Sequence, residues 1–149
     1  MCIIYKYTRK ELNMYDPKYS YALSFELVES RHETPAINGA IFRQYNIDVA
    51  INYLNKGKAT LFAHVLETAA FSRVFDVCKD NGWTWEDPEW DKDDMTPEYL
   101  PKKLTINLFV TGFTPALVAV INMCKCNGIT LNTWHYNRDS RDYFYYPIA

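Results

Sequence analysis

One internal match constrains this chain more than any other feature. With Gly82 placed over Gly128, KATLFAHVLETAAFSRVFDVCKDNGWTW (from Lys58) aligns without a gap over LTINLFVTGFTPALVAVINMCKCNGITL (from Leu104). Identities fall at Thr68/Thr114, Ala70/Ala116, Val74/Val120, Cys78/Cys124, Lys79/Lys125, Asn81/Asn127, Gly82/Gly128 and Thr84/Thr130. Such self-similarity points to one supersecondary unit used twice, although a shared structural grammar produces the same pattern.

Each copy opens on an apolar run, ATLFAHV or LTINLFV, of the kind found in strands covered on both faces. After the matched Thr, apolar residues recur at helical spacing: Ala70, Phe71, Val74 and Phe75 in one copy, Ala116, Leu117, Val120 and Ile121 in the other. Thr is a good N-cap, Pro115 sits where a helix start tolerates proline, and Asn-Gly supplies the left-handed residue that ends a helix. A more distant third copy, SYALSFELVESRHETPAINGAIF, repeats the cap with Thr34 and Pro35 and places Ala36, Ile37, Ala40 and Ile41 at the same offsets.

These signals predict strand 20–29, helix 34–44 weakened by Gly39, helix 48–56, strand 59–66, helix 68–80, strand 83–87, strand 103–111, helix 114–126, and strands 129–136 and 141–148. Alternating strands and helices imply a single Rossmann-like α/β domain over residues 1–149 with a mainly parallel sheet. HYNRDSRDY is a turn between aromatic strands, so the last two strands form a C-terminal antiparallel hairpin. Three strand-to-helix turns then emerge at the carboxyl ends of the strands, and three helix N-termini offer free N–H groups to one cleft. A phosphate-bearing anion suits that arrangement; Thr-Pro-Ala used three times simply as a stable helix start explains the same residues.

Composition narrows the function. The opening MCIIYKYTRKELNMY has too short an apolar run for a signal peptide and no stretch approaches a membrane span, so a cytoplasmic protein without a membrane partner is expected. Cys2, Cys78, Cys124 and Cys126 lack paired zinc spacing, and no metal or other cofactor is expected; Cys78 and Cys124 read as buried small hydrophobes. Net charge is −2, but Glu86 to Glu98 holds seven of the 18 acids and one of the 16 bases, leaving 15 bases against 11 acids elsewhere. That body suits an anionic ligand and is too weakly basic to coat long nucleic acid. The acidic insertion 86–100, with Trp83, Trp85 and Trp90 in or beside it, reads as a solvated loop or as a protein-binding surface.

SRHET, Ser30 to Thr34, is the densest polar cluster at a predicted strand end. Arg31 suits a phosphate, His32 an acid or base, and Thr34 a ligand contact, while a plain surface turn accounts for the same residues. His32-Glu33-Thr34 supplies half of the two-histidine phosphoesterase motif, and no second half exists. Glu67 and Thr68 occupy the second turn, with His64 in the preceding strand. Thr111, Gly112 and Thr114 form the third, where Gly112 admits close backbone approach. His135, Tyr136, Arg138 and Arg141 flank the hairpin and suit base stacking or phosphate pairing. Neither GxGxxG nor a Walker loop is present.

The C-terminal stretch, strand to TGFTPALVAVI to helix followed by strand and hairpin, resembles the closing units of CRISPR-associated Rossmann-like (CARF-type) domains and small ring nucleases. That resemblance covers about 45 residues. It implies a cyclic oligoadenylate ligand, contacts from Thr111, Gly112 and Thr114, a homodimer, and a role as an antiviral-defence accessory. The expected function is therefore binding of a phosphorylated nucleotide ligand, a cyclic or linear oligonucleotide, with metal-independent phosphodiesterase cleavage by His32 and Arg31 left open. The contrasting expectation is a non-enzymatic interaction protein, a defence or counter-defence inhibitor, that acts through the acidic loop 86–98.

Overall fold

The computed structural model describes residues 21–30, 34–86 and 98–147. In chain order its elements are β1 (Tyr21–Val28), β2 (Ala40–Phe42), α1 (Gln44–Asn55), α2 (Ala59–Asp80), β3 (Trp85–Glu86), β4 (Glu98–Tyr99), β5 (Leu104–Phe109), α3 (Thr114–Cys126), β6 (Thr130–Asn137) and β7 (Asp142–Pro147). Five strands form one sheet in the order β2-β1-β5-β6-β7. The first four are parallel, and β7 returns antiparallel to β6. The fold is thus α/β, Rossmann-like and mainly parallel, with the expected C-terminal hairpin. β3 and β4 form a small separate antiparallel pair.

Strand alternation divides the sheet into two unlike faces. Leu23, Phe25 and Leu27 of β1 and Leu104, Ile106 and Leu108 of β5 point to one side and join α2 and α3 residues such as Leu66, Val74, Ala116 and Val120 in a single buried cluster. On the other side stand Ser24 and Glu26 of β1, Asn107 and Phe109 of β5, Asn132, Trp134 and Tyr136 of β6, and Tyr143 and Tyr145 of β7. None of these belongs to that cluster.

Helix α2 spans the whole sheet. Phe62 in its first turn meets Phe113, beyond the end of β5, at 6.3 Å, while Trp83 past its last turn meets Tyr21 at the start of β1 at 5.0 Å. Twenty-two helical residues reach about 33 Å, against about 20 Å for the six-residue β5. The head of α2 therefore rises past the strand ends, and α1, packed against it, rises with it.

The predicted strand 59–66 is instead the first two turns of α2. The reason is punctuation: from Ala59 to Asp80 the chain contains neither Gly nor Pro, and a short apolar run cannot be told from buried helix by periodicity alone. The predicted helix 34–44 is also absent. Thr34 to Gly39 form an irregular connection, Ala40 to Phe42 pair with β1, and the helix starts only at Gln44. Gly39 at φ 81° breaks the helical path. Ser24 on β1 holds the connection: its Oγ accepts the Ile37 N–H at 2.8 Å, and its own N–H donates to Asn38 Oδ1 at 2.9 Å. Ile37, expected in a buried stripe, is 88% exposed.

The internal match holds over its second half. Val74, Val120 and Cys78 are fully buried, and Cys124 is nearly so. The N–H of Trp83 donates to Cys78 O at 2.8 Å, and that of Ile129 donates to Cys124 O at 2.9 Å. These equivalent bonds close both helices around Gly82 at φ 72° and Gly128 at φ 65°. What repeats is a helix with its C-terminal lock; a strand precedes it in one copy and two more helical turns in the other.

Candidate ligand cleft

Two connections diverge at the carboxyl ends of the central strands. The chain leaving β1 turns toward β2, and the chain leaving β5 crosses through α3 to β6 on the opposite side. The crevice opened by such divergence is where α/β sheets receive ligands. A cleft of about 1180 Å³ lies there. Its walls include Val28 at the end of β1, Glu29 and Thr34 beyond it, Val110 to Phe113 after β5, Gln44, Ile47 and Ile51 of α1, and Tyr136, Arg138, Arg141 and Tyr143 of the hairpin.

Thr111 and Gly112 owe much of their identity to the scaffold. Thr111 Oγ1 donates to Val28 O at 2.8 Å and accepts from Val28 N–H at 3.2 Å, so one hydroxyl stitches the ends of β1 and β5 together. Gly112 sits at φ 77°, and a Cβ there meets the Val28 side chain at 3.5 Å. Thr34, expected as a helix cap, donates through Oγ1 to Glu26 Oε2 at 3.1 Å. The free N–H at the start of α1 is taken too: Gln44 N donates to Glu29 Oε1 at 3.0 Å, placing a carboxylate on that helix terminus.

The charged groups of the cleft fall into two classes. Of the lining carboxylates, Glu29 Oε1 accepts Gln44 N–H at 3.0 Å and Asp142 Oδ1 accepts Tyr143 N–H at 2.8 Å, and on neighbouring β1 both Glu26 oxygens accept hydrogen bonds, from Ser30 N–H at 3.3 Å and from Thr34. The guanidinium groups of Arg138 and Arg141 have no hydrogen-bond or ion-pair partner among the described residues. Arg141 is also the one non-glycine described residue with positive φ, at 55°. Glycine or asparagine ordinarily fills that left-handed hairpin position, and holding another side chain there costs roughly 1–2 kcal/mol. Burial and the nearby Glu26 carboxylate raise the Tyr143 phenol above its usual value, which keeps its hydroxyl protonated as a donor.

The structure gathers Thr34, Thr111, Gly112 and Arg138 in this cleft and leaves other expected residues elsewhere. Glu67 and Thr114 line a separate groove of about 250 Å³ between α2 and α3. Thr114 is the first residue of α3, with Phe113 in the capping position, so it is not the cap. Thr68 is mid-helix, and its buried Oγ1, like His64 Nδ1 one turn earlier, has no hydrogen-bond partner. The second of the three expected turns therefore does not exist, because α2 passes straight through it. Arg31, expected to hold phosphate, His32, the expected acid or base, and most of the acidic loop lie outside the described residues.

Sequence reasoning missed Gln44, Ile47, Ile51 and Tyr143. The first three reach the cleft only because α1 rises beyond the sheet, which no local pattern announces; for Tyr143 the signal was present in its alternation with Phe144 on a hairpin strand. Among the described residues no helix is long and apolar enough to cross a membrane. Compared with protein-family models, curated proteins and solved structures, the chain matches none.

Proposed function

We propose that this protein binds a phosphorylated nucleotide in the cleft between β1 and β5, with Arg138 and Arg141 receiving the phosphate and Tyr136 and Tyr143 bordering the base. The observation that carries this reading is the pair of unpartnered guanidinium groups beside a cleft whose carboxylates are already hydrogen-bonded. Guanidinium forks match phosphate oxygens bidentately, and tyrosine rings offer a face to any base. On the resemblance of TGFTPALVAVI to CARF-type units, a cyclic oligoadenylate is the first member of the class to test. Binding is the part of the function to which these residues contribute.

Arg141 gives the test its edge, because its backbone strain and its charge make opposite predictions. Arg141→Gly relieves the left-handed strain and is expected to stabilise the fold by up to about 1 kcal/mol in denaturant unfolding, the gain being offset in part by glycine's greater unfolded-state freedom. The same variant, and Arg138→Ala, should weaken binding of cyclic oligoadenylate or of a 5′-phosphorylated nucleotide about tenfold or more in calorimetric titration, the usual worth of a charge-assisted hydrogen bond. Unchanged affinity in both variants overturns the proposal.

A further inference from the structure

The face of the sheet turned away from α2 and α3 carries an ordered array of aromatic rings and amides. Phe109 and Trp134 stack at 6.0 Å with 21° between planes, Tyr143 meets Phe109 edge-on at 5.1 Å, Tyr145 lies 5.5 Å from Trp134, and Tyr136 lies 5.4 Å from Tyr143. A polar chain links the same strands. Tyr145 Oη donates to Asn132 Oδ1, Asn132 Nδ2 donates to Asn107 Oδ1, and Trp134 Nε1 donates to that same Asn107 oxygen, each at 3.3 Å. The Asn107 amide nitrogen keeps both donors free among the described residues. Tyr136 and Tyr145 are 51% and 48% exposed, although rings of this size usually bury most of their area.

The array is continuous with the cleft. Tyr136 and Tyr143, a cross-strand pair, line the cleft beside the two arginines, and the next pair on the same face is Trp134 with Tyr145. Two residues of strand separate the pairs by about 6.8 Å, and a splayed single strand presents successive unstacked bases to a sheet in the same way.

We infer that the ligand is a single-stranded oligonucleotide: a phosphate sits at Arg138 and Arg141, one base lies on Tyr136 and Tyr143, and the following base lies on Trp134 and Tyr145 with its edge within reach of the Asn107 amide. This inference rests on the cleft reading and deepens it by assigning successive bases of the ligand to places on the sheet face. The arginines at one end of the platform favour this ligand over a neutral sugar chain, which aromatic rings and amides also accommodate. With only two arginines, the platform suits a short strand.

The test uses the full chain and the linear probes pA, pApA and pApApA, with affinity read by fluorescence anisotropy in competition format. Affinity should rise about fivefold or more for the nucleotide that reaches Trp134 and Tyr145, the usual effect of one base–aromatic stack. Tyr145→Ala should remove that increment and leave pA affinity as the internal reference, while Tyr145→Phe, which keeps the ring and loses the bond to Asn132, should retain it. Equal affinity for all three probes, with pA still dependent on Arg138, overturns the oligonucleotide inference and leaves the cleft reading standing. Length-dependent binding indifferent to Arg138 and Arg141 but sensitive to Tyr145→Ala overturns the cleft reading and keeps the platform. Competition by a neutral oligosaccharide that Tyr145→Ala abolishes assigns the face to carbohydrate and overturns the inference, and no binding of any probe overturns both.

Discussion

The head of α2 and the β5–α3 turn occupy equivalent places in the aligned segments, yet one is helix throughout and the other is strand, turn and helix. Over the Ala70–Gly82 and Ala116–Gly128 halves the two segments agree in burial, in the cysteine packed against the core, and in the hydrogen bond that locks the C-terminus. Two of the differing positions bear directly on helix propagation. Leu66 stands over Gly112 and Ala69 over Pro115. Leucine and alanine propagate a helix, whereas a glycine at φ 77° and a proline in the first turn start a new one. Among the aligned residues before the shared helix, these two supply the helix-breaking difference between the copies.

The most damaging way to test this contrast is to move a breaker across. Ala69→Pro removes a backbone donor inside α2 and sets its ring against the preceding turn, so unfolding stability should fall by about 3 kcal/mol or more in a urea titration. A loss below about 1 kcal/mol would show that α2 is already broken there.

The matched cysteines sharpen the half that agrees. Burial pushes both the Cys78 and Cys124 thiols up to about 12 from 9.0. Both stay neutral in the fold while the unfolded chain ionises near 9.0, so their stabilising contribution is complete below pH 9 and is lost as pH rises from 9 toward 12. At pH 10 the loss is on the order of 1 kcal/mol per thiol, and replacing both by Ala should flatten that alkaline limb. An unchanged pH slope in the double variant would place the effect elsewhere.

Gly112→Ala probes the other half. The added Cβ makes ordinary contact with Val28, leaving the left-handed backbone as the main cost, roughly 1–2 kcal/mol. Thermal unfolding of the variant measures it, and a neutral result would show that the turn adapts. The smallest effect belongs to Thr68→Val. Its hydroxyl is buried without a partner, so an apolar group of the same shape should be neutral or stabilising by less than about 1 kcal/mol, whereas a loss above that would reveal a bond made by the hydroxyl.

Much of the fold was legible because its signals are local. Thr114 to Cys126 is the helix expected from its proline and its Asn-Gly end, and the aromatic alternation around HYNRDSRDY gives the hairpin. Strand β2 was illegible because three residues, Ala40 to Phe42, become a strand only by pairing with β1. In the site, Thr34, Thr111, Gly112 and Arg138 were legible as polar residues at strand ends. The α1 wall depends on how far a helical hairpin overhangs the sheet, a property of tertiary packing.

The two margins of the main sheet are finished differently. On the β2 side Arg73 reaches from α2 and donates to Ala40 O of the strand at 3.0 Å and to Asn38 O in the connection before it at 2.8 Å. On the β7 side no described strand pairs with the outer edge, and Phe144, Tyr145 and Tyr146 are each close to half exposed or more. Carbonyls already bonded to a guanidinium are unavailable to an added strand, so among the described residues the β2 margin resists strand addition where the β7 margin does not.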